Sequence, residues 1–125
     1  MNNTLTFRFA KRSDTALILQ FIKELTDYEK MLNEMVADEA TLKTWIFDKQ
    51  KAEVIFAVVD NKEIGFALFF HNFSTFLGRS GIYLEDLYVK TEYYILFALG
   101  FFVSEFIIKI FRRKVNERKD GISLI

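Results

Sequence analysis

Three short apolar segments that follow one another between Glu53 and Val89 constrain the fold of this chain more than any other feature of its sequence. Two of them, AEVIFAVV and EIGFALFF, are separated by Asp60-Asn61-Lys62, whose residues suit a tight turn, and they predict an antiparallel hairpin. The stretch from His71 to Ser80 contains Asn, Ser, Thr and Gly and is predicted to be a loop. It leads into a further predicted strand from Ile82 to Val89.

The part of the chain before these strands combines one strand pattern with two helical patterns. Apolar and polar residues alternate from Thr4 to Phe9, which predicts a strand with one buried face. Asp14 offers an N-cap for a first helix, and a second, shorter helix is predicted to start near Asp38. A strand, two helices and then three strands are typical of a mixed α/β or α+β domain. The residues expected on the buried sides of the helices are Ile18, Ile22, Leu25, Tyr28 and Leu32 in the first, and Leu42, Trp45 and Ile46 in the second.

The composition is that of one globular unit with a large core. The chain has 125 residues, of which 51% are hydrophobic, so we predict a single domain over residues 1–125. Lys plus Arg and Asp plus Glu are both 17, and this balance provides no general field that would attract nucleic acid or an anionic membrane. Five of the phenylalanines are expected to form core and wall surfaces: Phe66, Phe69, Phe70, Phe73 and Phe76.

Several kinds of chemistry are excluded by what the sequence lacks. It contains no cysteine and His71 is its only histidine, so we predict no disulfide, no Cys nucleophile and no metal cluster of thiolates or imidazoles. The N-terminal residues lack the features of a secretory signal, and we expect a cytoplasmic protein. The apolar run from Tyr93 to Val103 is shorter than a membrane span. The pattern beyond Tyr93 predicts an amphipathic helix with Val103, Phe106, Ile107 and Ile110 on one face.

Three blocks of the sequence resemble one known family. They are IKELTDYEK at residues 22–30, IGFALFF at residues 64–70, and HNFSTFLGRSGIYLEDLYVK at residues 71–90. In order and separation they are similar to the diamine, or spermidine/spermine, branch of the GNAT-superfamily N-acetyltransferases, and the resemblance covers residues 5–93. It implies a GNAT-like mixed, mostly antiparallel sheet flanked by helices. It also implies transfer of an acetyl group from acetyl-CoA to a primary amine of a small molecule.

The resemblance further implies the residues of the site. In such enzymes the strand that carries Leu87, Tyr88 and Val89 holds the pantetheine arm of acetyl-CoA, and its main-chain amides stabilise the oxyanion that forms at the thioester. Glu85 is the implied general base that receives the proton of the attacking amine. Its neighbour Asp86 would point to the opposite face if the strand were regular. The residues implied near the substrate entrance, where acidic groups attract a cationic amine, are Tyr28, Glu29 and Asp86.

The same residues also have simpler structural interpretations. A Glu-Asp pair on a strand is commonly an edge charge or an ion-pair partner, and a tyrosine at helical spacing such as Tyr28 is commonly part of the core. His71 is expected to be a hydrogen-bonded loop residue without a chemical role. The sequence by itself leaves these alternatives open beside the functional ones.

The sequence departs from the family after this strand. GNAT enzymes carry an Arg/Gln-x-x-Gly-x-Gly/Ala turn whose amides hold the CoA pyrophosphate, whereas residues 91–100 have Tyr94 at the basic position and Gly100 as their only glycine. We therefore expect weak cofactor binding. The tail at residues 94–125 diverges, and the last strands of the family are expected to be missing. Leu87–Val89 would then lie at an exposed edge that favours a homodimer.

Three functions compete at this point. The first is an N-acetyltransferase that uses acetyl-CoA and a small, polyamine-like or diamine-like primary amine. The second is a catalytically inactive relic that keeps the GNAT fold and does not bind CoA. The third, from a different class, is a membrane-associated or partner-binding protein that docks through residues 93–111, next to Arg112, Arg113 and Lys114.

Overall fold

A computed structural model describes residues 5–29 and 34–93 of the chain. The strands are β1 (Leu5–Phe9), β2 (Glu53–Val59), β3 (Lys62–Ser74) and β4 (Arg79–Val89), and the helices are α1 (Thr15–Tyr28) and α2 (Glu39–Leu42). A π-helical turn continues α2 over Lys43–Asp48, and short 3-10 turns lie at Arg12–Asp14 and Thr91–Tyr93. The predictions made for Leu32, for the helix with Val103 and for docking through 93–111 fall mostly or wholly outside the described residues.

The four strands form one antiparallel sheet in the order β1-β2-β3-β4. Alternation along each strand sends one set of side chains towards the two helices and the other set to the opposite face. This arrangement confirms the predicted α+β class. The buried residues on the helix side are Ile18, Phe21, Ile46, Val54, Phe56 and Phe66, and those on the opposite face are Ile55, Ala57, Val59, Ile64, Ala67, Phe69 and Val89.

The turn between β2 and β3 has the geometry that its residues predict. Asp60 and Asn61 have φ values of 51° and 62°, in the left-handed region that these two residue types tolerate better than most. Lys62 already belongs to β3 and pairs with Val59. The two-residue turn therefore fixes the register of the hairpin from local sequence alone.

The prediction of a loop from His71 to Ser80 is wrong. Strand β3 continues to Ser74, β4 begins at Arg79, and only four residues form the turn between them. Cross-strand pairing extends without interruption from Phe70↔Tyr83 to Ser74↔Arg79, so backbone hydrogen bonding outweighs the low strand preference of Asn and Ser. His71 is thus a strand residue, with Nε2 lying 3.5 Å from a carboxylate oxygen of Glu53.

Two expectations for individual side chains in this hairpin are also wrong. Phe66 and Phe69 are fully buried and Phe70 is partly buried, as expected for core and wall residues. Phe73 and Phe76, however, have exposed fractions of 66% and 97%. They lie beyond the end of β2, where the described part of the sheet has only two strands and offers no surface to cover them.

The helices begin close to the predicted residues, but two details differ. The Asp14 carboxylate does not cap α1, because it is engaged by Arg8 and by the backbone N–H of Lys11. Ile46 is buried as expected, whereas Trp45 is half exposed and stacks under the ammonium of Lys49, with Nζ 4.1 Å from the ring centroid. Trp45 lies in the π-helical turn, whose residue spacing differs from that of the α-helix on which the prediction was based. Among residues 5–29 and 34–93, no helix has both the length and the apolarity to cross a membrane.

An ion cluster joins β1, the 3-10 turn before α1, and β3. Arg8 donates to both oxygens of Asp14, at 2.8 and 2.9 Å, and to Glu63 Oε1, at 2.8 and 3.2 Å. Its guanidinium also lies 4.9 Å from the ring centroid of Phe56. The hydrogen bonds from Arg8 are the main reason why the pKa values of the Asp14 and Glu63 carboxyls are lowered.

Substitution of Arg8 by Met is expected to lower the free energy of unfolding by about 2 kcal/mol, because two partly buried carboxylates lose their partner. Lowered pKa values stabilise the fold above the ordinary carboxyl range, and this contribution is lost as the pH falls through the lowered values. Urea unfolding between pH 7 and pH 3 should therefore show a shallower acid-side decline in the variant. Arg12→Met, which breaks the exposed pair with Asp48, should cost less than about 1 kcal/mol. Equal effects of the two substitutions would contradict this account.

Candidate active site

The pairing register between β4 and β3 changes at Glu85, the residue that the family resemblance implies as the general base. Asp86 pairs with Leu68 and Leu84 pairs with Phe69, so Glu85 is an extra residue with no partner position on β3. Such a β-bulge bends the strand and redirects side chains, and bulges are common next to active sites. We expected Glu85 and Asp86 to point to opposite faces if the strand were regular. The strand is not regular here, because the bulge lies at Glu85. Glu85 is exposed and Asp86 is partly buried.

The peptide groups of β4 divide into two sets. The N–H of Lys90 donates to the carbonyl oxygen of Ile64 at 2.8 Å. Alternate residues of an antiparallel pair make the ladder bonds, so the peptide groups of Tyr88 face β3 and those of Leu87 and Val89 face away from it. Within residues 5–29 and 34–93 no strand pairs with that side of β4. Two of the three residues that were predicted to hold the cofactor thus turn their N–H groups outward.

The side chains of the same residues anchor β4 in the two cores. Val89 is buried and Leu87 is partly buried on the face opposite the helices. Tyr88 packs on the helix side, with its ring centroid 6.0 Å from that of Phe21 and 6.4 Å from that of Phe66. The outward peptide groups are thus part of a strand whose side chains are held on both faces of the sheet.

Two neighbouring carboxylates act on the charge of Asp86 in β4. Burial raises the pKa of the Asp86 carboxyl, and the negative charges of Glu85 and Glu29 raise that pKa further. Glu29 is the C-cap of α1, so the unpaired carbonyls of the last helical turn add to the negative potential. Tyr28 is the last residue of α1, and the position of its side chain lies outside the description.

The sequence therefore predicts which residues belong to this candidate site, but it does not predict how they are arranged in space. The resemblance includes Glu29, Glu85 and Asp86, but nothing in the spacing of residues 29 and 86 indicates that their charges interact. The bulge at Glu85 has no local signature either, because it depends on how β4 pairs with β3. An open groove in the described part of the chain lies on the outer side of α1 and includes no residue of β4; it is lined by Ala16, Leu19, Gln20, Lys23, Glu24 and Asp27.

Comparison with known proteins identifies relatives of the chain. No protein-family model matches the sequence. The thialysine N-epsilon-acetyltransferase of Bos taurus is 36% identical over 95 residues, which are 69% of this chain and 55% of that protein. The corresponding enzyme of Sus scrofa is 34% identical over 99 residues, which are 72% of this chain and 58% of that protein. The chain thus spans little more than half the length of the curated relatives that it matches.

The fold has counterparts among solved structures. A Clostridium acetobutylicum protein described as a predicted acetyltransferase, solved with acetyl-CoA, aligns with a TM-score of 0.66. The alignment covers 98% of this chain and 79% of that protein at 15% sequence identity, so it supports the fold and carries no information on substrates. Sequence relatives and fold agree with each other and with the bulged strand that ends in LEDLYV. The chain belongs to the GNAT acetyltransferase superfamily, in the branch that includes the thialysine N-epsilon-acetyltransferases.

Proposed function

We propose that this chain carries the acetyl-transfer site of an N-acetyltransferase that moves an acetyl group from acetyl-CoA to a primary amine of a small molecule. The observation that carries the proposal is the side of β4 that faces away from β3. There the outward N–H groups of Leu87 and Val89 lie next to the acidic residues Glu85 and Asp86. An anionic transition state and a cationic substrate need these two features side by side.

The chemistry follows from this arrangement. The amine nitrogen attacks the thioester carbonyl carbon, and the outward N–H groups stabilise the negative charge that develops on the carbonyl oxygen. Glu85 receives a proton from the amine, directly or through water. A nitrogen–carbon bond forms, the carbon–sulfur bond breaks, and CoA leaves as a thiolate that takes up a proton. Acetyl-CoA supplies the activated acetyl group, and no covalent enzyme intermediate is required.

The acidic residues specify the kind of acceptor. Glu29 and Asp86, together with the negative end of α1, attract a positively charged group. A diamine, a polyamine or a lysine-like amino acid can place one ammonium group there while a second amine, in its neutral form, attacks the thioester. Because the pKa of Asp86 is raised, that carboxyl gains most from a cation that offsets the charges of Glu85 and Glu29. We propose Tyr28, at the end of α1, as a further contact for the same substrate.

One sequence observation favours a second candidate, the inactive relic. Residues 91–100 lack the glycines and the positive charge that bind the CoA pyrophosphate in the family, and Tyr94 stands where the basic residue belongs. If the chain is instead an enzyme that holds its donor through β4 alone, the phosphates of CoA contribute little to the affinity for acetyl-CoA. A phosphate-free thioester should then bind almost as well as acetyl-CoA.

Calorimetric titration with acetyl-CoA and with S-acetylpantetheine tests both candidates. We expect both donors to bind with Kd values of about 0.1–1 mM and within roughly tenfold of each other, because the shared pantetheine arm makes the contacts with β4. We also expect mass spectrometry to detect an acetylated product when a polyamine such as spermidine is added. A sample that binds neither donor at about 5 mM and forms no product would exclude the enzyme and leave the relic.

A further inference from the structure

Charges of opposite sign lie at the two ends of the segment of β4 that follows the bulge. Glu85 and Asp86 lie at one end, where Glu29 at the end of α1 adds a further negative charge. Lys90 lies at the other end, directly after Val89, the last residue of β4. Lys90 follows Asp86 by four positions, which correspond to roughly 13 Å of extended chain. A ligand that lies along this segment therefore meets negative charge at one end and positive charge at the other.

The backbone and the side chain of Lys90 both have contacts within the fold. Its N–H donates to the carbonyl oxygen of Ile64 at 2.8 Å, and its carbonyl oxygen accepts a hydrogen bond from the N–H of Tyr93 at 3.0 Å. The side chain is partly buried, and Nζ lies 5.5 Å from the ring centroid of Phe21. The ammonium thus lies against α1, close to the end of β4.

The ammonium of Lys90 forms no ion pair with a carboxylate of residues 5–29 and 34–93. The ion pairs in that part of the chain have Arg8, Arg12 and His71 on their basic side. The nearby Glu92 accepts a hydrogen bond from the Thr91 hydroxyl, at 3.1 Å. Contact with an aromatic ring replaces the hydration of an ammonium only in part, so the charge of Lys90 remains available to an anion.

We propose that the ammonium of Lys90 binds the phosphate at the end of the pantetheine arm of acetyl-CoA. The inference rests on the proposed function, in which the thioester lies beside the outward N–H groups of Leu87 and Val89. From its sulfur to the first phosphate, the arm is about as long as four residues of extended backbone, roughly 14 Å. With the thioester level with Leu87, that phosphate lies level with residues 90–91, within reach of a lysine side chain.

The charges beside β4 favour this direction of the donor over the reverse. The reverse direction would bring the phosphate towards Glu85 and Asp86, whose negative charges repel it. In the proposed direction the acetyl group lies next to these carboxylates and the phosphate lies next to Lys90. Lys90 would also supply a positive charge that residues 91–100 do not contain, since Tyr94 stands at the basic position of the family.

Calorimetric titration of the wild-type chain and of Lys90→Met with three thioesters tests the proposal. S-acetylpantetheine has no phosphate, S-acetyl-4′-phosphopantetheine has only the phosphate at the end of the arm, and acetyl-CoA has the complete set. We expect both phosphorylated donors to bind the wild-type chain about fivefold more tightly than S-acetylpantetheine, as one partly exposed ion pair allows. In Lys90→Met this preference should fall below about 1.5-fold, while the affinity for S-acetylpantetheine stays within about twofold of the wild type.

Two further variants and a salt series serve as controls. Lys49→Met is the matched control, because the ammonium of Lys49 also lies over an aromatic ring, 4.1 Å from the centroid of Trp45, and belongs to no part of the candidate site. It should keep the full preference, and Lys90→Arg should keep most of it because the charge is retained. In the wild-type chain, raising the NaCl concentration from about 20 mM to about 500 mM should reduce the preference below about twofold, since salt screens a partly exposed ion pair. Thermal melting shows whether each variant is folded, and the salt series does not depend on any variant.

Each contrary outcome would overturn the proposal in a recognisable way. A preference that persists in Lys90→Met, or that salt does not reduce in the wild-type chain, means that Lys90 is not the ligand of the phosphate. Equal binding of all three thioesters to the wild-type chain would also reject the role of Lys90, whereas the proposed function would stand. Preference for acetyl-CoA alone would place the contact on its nucleotide part. A wild-type chain that binds none of the three would exclude both the role of Lys90 and the proposed function.

Discussion

Glu85→Gln is expected to lower kcat for amine acetylation by roughly 10²-fold or more, because an amide cannot receive the proton that the attacking nitrogen must lose. The exposed position of Glu85 on the bulge means that the substitution disturbs no core contact, so the melting temperature should stay within about 2 °C of the wild type. The binding of acetyl-CoA should also be unchanged, since the outward peptide groups of Leu87 and Val89 are retained. The measurement is steady-state kinetics from pH 6 to pH 10, together with titration of the donor.

Glu92→Gln is the matched control for this substitution. Glu92 is another exposed glutamate, and it lies in the 3-10 turn that directly follows β4. Its side chain accepts a hydrogen bond from the hydroxyl of Thr91. Its replacement should leave kcat within about twofold. If Glu85→Gln keeps full activity and Asp86→Asn loses it, the general base is Asp86, whose raised pKa already makes it a stronger proton acceptor than an ordinary aspartate.

Gly65→Ala is expected to destabilise the protein by about 3 kcal/mol, which corresponds to a fall in melting temperature of roughly 10 °C. A Cβ atom at Gly65 would lie 2.4 Å from the carbonyl oxygen of Tyr88 and 3.1 Å from the Cα atom of Val89. Both are backbone atoms, so β4 has to shift before a methyl group fits. The same shift displaces the outward peptide groups, and we expect donor binding to weaken together with stability.

Gly78→Ala separates this steric effect from the general loss of a glycine. Gly78 has φ of 67° and open space around it, so alanine there meets backbone strain of about 1 kcal/mol and no collision. Thermal melts of the two variants should therefore differ by several degrees. Equal melting temperatures of Gly65→Ala and Gly78→Ala would contradict this prediction, because they would show that β4 can move away from the new methyl group without a loss of stability.

The two largest predicted effects concern the same strand for different reasons. The effect predicted for Glu85 comes from its chemistry on the exposed bulge, whereas the effect predicted for Gly65 comes from the position of the backbone that follows the bulge. A variant that loses activity and keeps its stability identifies the first kind of role. A variant that loses both identifies the second, so the pair distinguishes a catalytic residue from a positioning residue.

The sequence by itself determined the elements whose signals are local. Alternation gave β1, the tight turn at Asp60-Asn61 gave the hairpin of β2 and β3, and helical spacing placed Ile18 in the core. The residues of the candidate site were also available from the resemblance, since the block that ends in LEDLYV names Glu85 and Asp86 directly. These features depend on residues that are near one another in the chain, so periodicity or motif identity is enough to find them.

Tertiary structure decided everything that depends on pairing between distant segments. The strand through His71, the exposure of Phe73 and Phe76, and the bulge at Glu85 all follow from how β4 aligns with β3 and where β2 ends. The electrostatic effect of Glu29 on Asp86 follows from how α1 packs on the sheet. A residue type states what a side chain can do, but its neighbours across the sheet determine whether it is buried, charged or free to react, because burial and electrostatics act through space and do not follow the chain.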